Sequence, residues 1–120
     1  MIIFTRITTL AALLCFTSLA LAHHGWRWTS DTDVEVTGVI ESATLGNPHG
    51  ILIIDVDGQK WTAEVGQPWR NKKAGLTDDM FAIGVEIIIE GQRSANETEF
   101  RVKAESIVID DKRYVLYPNR

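Results

Sequence analysis

The sequence predicts a mainly β protein: a small OB-fold-like antiparallel barrel of five to six strands, with one short helix between strands 3 and 4. Three observations predict it. Most of the chain after residue 33 alternates apolar and polar residues with period two, as half-buried strands do. Glycine, proline and Asp-Gly turn signals separate these stretches. Only the segment from Pro68 to Gly75 carries both a helix start and a helix stop. The order is three strands, a short helix, two strands and a terminal strand. That is the order of an OB-fold, a partly open five-stranded Greek-key barrel. Another small antiparallel barrel or sandwich is the alternative.

Taken in order, Thr29-Ser30-Asp31-Thr32-Asp33 is polar and reads as a loop. Val34, Val36 and Ile40 then alternate with Glu35, Thr37 and Glu41, with Gly38 suggesting a bulge or bend. The turn Leu45-Gly46-Asn47-Pro48-His49-Gly50 stops that strand, because proline cannot donate a ladder hydrogen bond. Ile51 to Val56 is apolar apart from Asp55, rich in β-branched residues, and reads as a central strand with Ile53 in the core. Asp57-Gly58 is a two-residue hairpin signal. The return strand, Gln59 to Val65, places Trp61, Ala63 and Val65 on one face.

Pro68 suits the first turn of a helix, Lys72 and Lys73 suit its last, and Gly75 its C-cap. Arg70, Lys72 and Lys73 read as a solvated face. Thr77 caps a second short turn, with Asp78 and Asp79 at its start. Val85, Ile87 and Ile89 alternate with Glu86 and Glu90; Gln92 to Glu99 reads as a polar hairpin loop. Phe100 to Ile109 is a long strand, Asp110-Asp111 a turn, and Tyr114 to Tyr117 a last short strand.

Residues 1–22 carry Arg6, an apolar run and the small-x-small end Ala20-Leu21-Ala22. These are the parts of a secretory signal, and the run is short of the ~20 residues a membrane-spanning helix needs. Cys15 follows Leu14, where a lipoprotein signal wants a small residue, so no stable membrane anchor is expected after cleavage. Cleavage leaves residues 23–120 as a single domain with an N-terminal arm over 23–33. That mature chain contains no cysteine, so packing rather than disulfides must hold it together. Loss of Arg6 takes the formal charge from −4 to −5. A negative small domain is a poor nucleic-acid binder, because phosphate contacts need net Lys and Arg.

Cleavage after Ala22 would make His23 the first residue. Its α-amine and imidazole form a chelate, and copper(II) suits such nitrogen donors. His24 follows, and His49 stands in the Asn47-Pro48-His49 turn. If the arm folds back over that turn, His23 and His49 can form a T-shaped histidine brace, with His24 as alternative or auxiliary ligand. The rival arrangement uses the amine, the His24 amide and the His24 imidazole. The common amino-terminal copper motif needs its histidine third, where Gly25 stands. No Cys or Met cluster supports sulfur-based copper(I) trafficking, and no fourth fixed ligand is spaced for zinc.

Enzyme readings are weaker. There is no cysteine nucleophile in the mature chain, no Gly-x-Ser-x-Gly elbow and no phosphate-cradling glycine loop. A redox-active copper enzyme is a third idea. Of the four tryptophans, Trp61 is expected in the core and Trp69 as a staple between helix and sheet. Trp26 and Trp28, two apart, are the freer pair. They could shield a site at His23 or, in a metal-free OB-type module, bind an exported protein or glycan partner.

His23-His24-Gly25-Trp26, Leu45 to His49, Arg70 to Thr77, Gly91-Gln92-Arg93-Ser94 and Tyr114 to Pro118 together resemble a family of small exported bacterial proteins catalogued as a domain of unknown function. The likeness spans essentially the whole mature chain. It implies a periplasmic Gram-negative protein and brings no established activity.

Overall fold

The computed structural model describes residues 24–120. Residues 1–22, expected as the signal, and His23 lie outside the described residues. Six strands are present among the described residues: β1 (Thr29–Thr44), β2 (Ile51–Val56), β3 (Gln59–Glu64), β4 (Glu86–Ser94), β5 (Arg101–Ile109) and β6 (Lys112–Val115). Among the described residues there is one α-helix, α1 (Pro68–Ala74), which falls between β3 and β4 as its Pro68 start and Gly75 stop predict. Gly75 adopts φ 98°, the left-handed conformation that favours glycine, and its N–H bonds back to the helix carbonyls. Thr77 does stand at the N-cap of the 3₁₀ turn Asp78–Phe81, but without a side-chain capping bond.

Hydrogen bonding runs β3-β2-β1-β4-β5-β6, and β3 also pairs with β5 in parallel. The pairings therefore return on themselves, from β1 through β2, β3, β5 and β4 back to β1. The hairpin at Asp57-Gly58 has positive φ at both residues, as a primed turn requires, and Asp110-Asp111 repeats that geometry before β6.

β1 is longer than its alternation suggests. It begins at Thr29, so the polar stretch Thr29 to Asp33 is strand and not loop. Thr29 pairs with Ser94 on β4, and a register shift separates it from the regular ladder that starts at Asp33. The strand serves two partners, β4 up to Val39 and β2 from Val39 onward. The bulge expected at Gly38 lies instead between Ile40 and Ser42. Gly38 has a different task, since a Cβ there would meet the Asp55 carbonyl oxygen at 2.6 Å. Lacking one, it lets β2 cross close as β1 changes partners.

The core is the inner face of these strands: Val36, Ile40, Leu52, Ile54, Ala63, Val65, Ile87, Ile89, Val102, Ala104, Ile107 and Ile109, closed by Leu76, Phe81, Tyr114 and Leu116. The Ile51 to Ile54 run is not buried on both sides. Leu52 and Ile54 face inward, and Ile53, on the opposite face of β2, is only half-buried. Phe100 is exposed and sits just before β5. Trp61 is half-buried, edge-on to Phe100 at 5.4 Å between ring centroids. Trp69 is 54% exposed and does not staple the helix to the sheet; Arg70 stacks on it at 4.5 Å. Arg70 is not a solvated residue. Its guanidinium donates to the Leu116 carbonyl at 3.1 Å and lies 4.1 Å from the Tyr117 ring, which ties α1 to the C-terminal segment.

Candidate functional site

Two backbone links bring the His49 turn to the end of β3. Gly50 N–H donates to Gly66 O at 3.2 Å, and Val65 N–H donates to Gly50 O at 2.8 Å. Gly50 has no room for a side chain, since a Cβ would meet Val65 at 2.7 Å. Ile51 is paired with Glu64 in the β2–β3 ladder. His49 is thereby set beside Glu64, with Nε2 at 4.0 Å from Oε1.

The parallel β3–β5 pairing puts Glu64 next to Lys103. Successive side chains on a strand point to opposite faces, so Glu64 and Lys103 face away from Ala63 and Val102, which lie in the core. They are buried all the same, Glu64 at 6% exposure and Lys103 at 1%. The Lys103 ammonium stands 3.0 Å from Glu64 Oε2. Buried charges persist only when paired, and this pair supplies the mutual compensation.

What covers the pair is the N-terminal arm. His24–Trp26 forms a 3₁₀ turn, and Lys103 Nζ donates to Gly25 O at 2.9 Å. The same ammonium lies 4.8 Å from the Trp26 ring and 5.9 Å from that of Tyr117. Trp26 meets Tyr117 edge to face at 5.0 Å and carries the Arg120 guanidinium 3.8 Å from its ring. Each is a cation–π or edge-to-face arrangement that favours the observed packing. Trp28 lies under Arg101 at 3.7 Å. Arg101 and Lys103 are two apart on β5, so the two tryptophans cover one face of that strand. A compact turn, not an extended chain, delivers them there.

The arm is fastened a second time on β4. Thr29 Oγ1 donates to Trp26 O at 2.7 Å. The Gln92 amide donates to Thr29 Oγ1 and Ser30 O, both at 3.0 Å, while its oxygen accepts from Arg120 at 3.3 Å. Burial raises the Tyr117 phenol above its ordinary range; Arg70 and Arg120 oppose this and the Glu64 charge adds to it. Tyr117 is therefore a neutral wall of the site. Two buried atoms of the site lack a hydrogen-bond partner among the described residues, His49 Nδ1 and Glu64 Oε2; the Lys103 contact to the latter is ionic and not aligned as a hydrogen bond.

Of the residues expected to form a site, Trp26 and His49 are brought to this same end of the molecule, both reaching it through the Lys103–Glu64 pair. His24 opens the turn that delivers Trp26. Trp28 packs beside them against Arg101 of β5. Among the described residues no group of three or more His, Cys, Asp or Glu side chains converges as metal ligands. Sequence reasoning missed Glu64 and Lys103. The one available signal was the matched spacing of Trp26 and Trp28 with Arg101 and Lys103.

The model of a family of unknown function (DUF6152) matches residues 11–101. The chain belongs to this family. The match includes His23, His24, the His49 turn and Glu64, and ends before Lys103 and Tyr117. No curated protein matches the chain.

Proposed function

We propose that this protein is a periplasmic copper-binding module. Its ligands are the amine and imidazole of His23, at the terminus left by cleavage after Ala22, and the imidazole of His49, with His24 as alternative or auxiliary ligand. The observation that carries this reading is the hydrogen bond from Lys103 to Gly25 O. It anchors the arm two residues after His23, against an ion pair whose carboxylate faces His49. Two residues of chain span at most about 7 Å, and His24 is wound into the 3₁₀ turn, so His23 starts within that distance of the anchored Gly25. His49 Nδ1, buried and without a hydrogen-bond partner among the described residues, is the donor atom that His49 would contribute. Among the described residues no group of three or more His, Cys, Asp or Glu side chains converges; in this reading the donors beyond His49 come from His23 and His24. Nitrogen donors of this kind suit copper(II).

The scaffold under this site is best read as an OB-type barrel. The circuit of pairings from β1 through β2, β3, β5 and β4 supports it, with the helix between β3 and β4 and with β6 added beside β5. The second reading is a metal-free module that binds a protein or glycan partner through Trp26 and Trp28. It has less support, because both indoles are half-buried under basic side chains.

Intact mass of periplasmic material is the first test, with a start at His23 expected. Untagged mature protein should then take up one Cu(II) with nitrogen couplings in its EPR spectrum. His49→Ala, and separately one residue added before His23, should each weaken binding and change the spectrum. Equal binding by both variants would overturn the brace in favour of an amine–His24 chelate. No binding by the unmodified protein would favour the metal-free module.

A further inference from the structure

We propose that His49 presents Nδ1 as its metal-binding nitrogen, and that Glu64, held in place by Lys103, is the carboxylate that orients the ring through Nε2. The metal part rests on the copper reading; the ring state does not.

Three observations carry it. His49 Nε2 is the nitrogen that faces Glu64 Oε1, at 4.0 Å. Nδ1 is buried without a hydrogen-bond partner among the described residues. Glu64 is buried, and its other oxygen is taken by the Lys103 ammonium at 3.0 Å. A neutral imidazole bears its proton on one nitrogen and a lone pair on the other, whereas a carboxylate only accepts. With the proton on Nε2, the N–H points at an acceptor and Nδ1 keeps its lone pair. With the proton on Nδ1, a buried N–H has no acceptor and two lone pairs face each other across the Nε2 gap. The first arrangement is favoured, because an unmade buried hydrogen bond is costly.

That tautomer is also the one a metal needs. A ligating histidine commonly donates its other N–H to a carboxylate, which fixes the ring and raises its basicity. The separation of 4.0 Å is longer than a hydrogen bond of about 2.9 Å. His49 sits in a turn and Glu64 in a strand, so closing the gap falls to the ring when Nδ1 takes a metal. Lys103 is a positioning residue here. It neutralises Glu64 so that the carboxylate can stay buried, and it holds Gly25 of the arm against the same group.

The test is nitrogen-15 correlation NMR on labelled mature protein, above the imidazole titration range. Metal-free protein should show His49 protonated at Nε2. Loading with Cu(I) should shift Nδ1 while Nε2 keeps its proton. The joint variant Glu64→Gln with Lys103→Met, which removes both charges together, should bind copper about 10–100-fold more weakly and lose the fixed Nε2–H signal. A proton found on Nδ1 in the metal-free protein, or a copper shift on Nε2, would overturn the assignment. Unchanged affinity and ring signals in the joint variant would overturn the role of Glu64. If copper does not bind at all, the copper reading fails, and the metal-free tautomer alone decides the Glu64–His49 relationship. That measurement also decides it should the joint variant not fold.

Discussion

Lys103 Nζ stands 3.0 Å from Glu64 Oε2 across the parallel pairing of β3 and β5, and both side chains are buried. Breaking such a pair from one side leaves an uncompensated buried charge, at a cost of about 3–5 kcal/mol. Removing both charges together is far gentler. Lys103→Met alone is therefore expected to destabilise the protein by that amount in urea unfolding, and the joint variant with Glu64→Gln to recover most of it. Equal losses in the single and joint variants would show that the pair is not coupled.

The core prediction follows from which side of each strand is covered. Ile87→Ala should cost about 2–5 kcal/mol, because the residue is fully buried. Ile53→Ala should cost clearly less, and Ile83→Ala, at a position 76% exposed, should stay within about ±0.5 kcal/mol. Denaturant midpoints at unchanged slope would measure the series. An Ile53 loss matching that of Ile87 would mean the outer face of β2 is covered.

Gly91 stands at the register shift between β4 and β5. A Cβ there would run into the Lys103 carbonyl, which is backbone and cannot swing aside. Gly91→Ala should lose at least the ~1–3 kcal/mol typical of overpacking. It should also loosen the arm, which hangs on Lys103. Thermal melting reads the first effect and Trp26 fluorescence the second. A neutral Gly91→Ala would place the bulge elsewhere.

Glu90 and Glu105 should act in opposite directions with pH. Hydrogen bonds from Arg113, at 2.7 and 2.9 Å, hold the Glu90 carboxyl below the usual range, with a further bond from Ser106 helping. A depressed folded value means that Glu90 adds stability above the unfolded value near ~4.3 and loses it as pH falls through the folded value. Arg113→Ala should flatten the acid limb of a stability–pH curve. Glu105 is raised, chiefly by burial and then by the Asp33 charge, against Arg120. Its contribution is fully present below the unfolded value and is lost as pH rises through the raised folded value. Glu105→Gln should therefore remove that fall and lift stability near neutrality. A curve unchanged by either substitution would mean that neither environment persists in solution.

The elements themselves were largely legible along the chain. Period-two alternation marks the strands, and Asp57-Gly58 encodes a primed turn because both residues tolerate positive φ. Pro68 and Gly75 bound the helix, since one pre-sets φ and the other ends it in the left-handed region. These are local preferences, decided within a few residues. Alternation also separates the two faces of β5, with Val102 and Ala104 on one and Arg101 and Lys103 on the other.

Alternation cannot tell whether the second face meets water or protein. Lys103 stands on the face of β5 opposite the core residues Val102 and Ala104 and is buried all the same, because the arm, Trp26 and Tyr117 come to it from the two ends of the chain. Ile53 reads as core and is half-buried, because it lies on the face of β2 opposite the inward Leu52 and Ile54. The polar stretch from Thr29 to Asp33 reads as loop and is strand, because β4 offers it a ladder. The likeness of this chain to a family could be seen from its motifs, His23-His24-Gly25-Trp26 and Asn47-Pro48-His49 above all. That Glu64 and Lys103 join those two stretches was decided only by the tertiary structure. Their contact depends on a pairing between strands remote in sequence, and burial of charge there is stable only once pair, arm and aromatic cover are all in place.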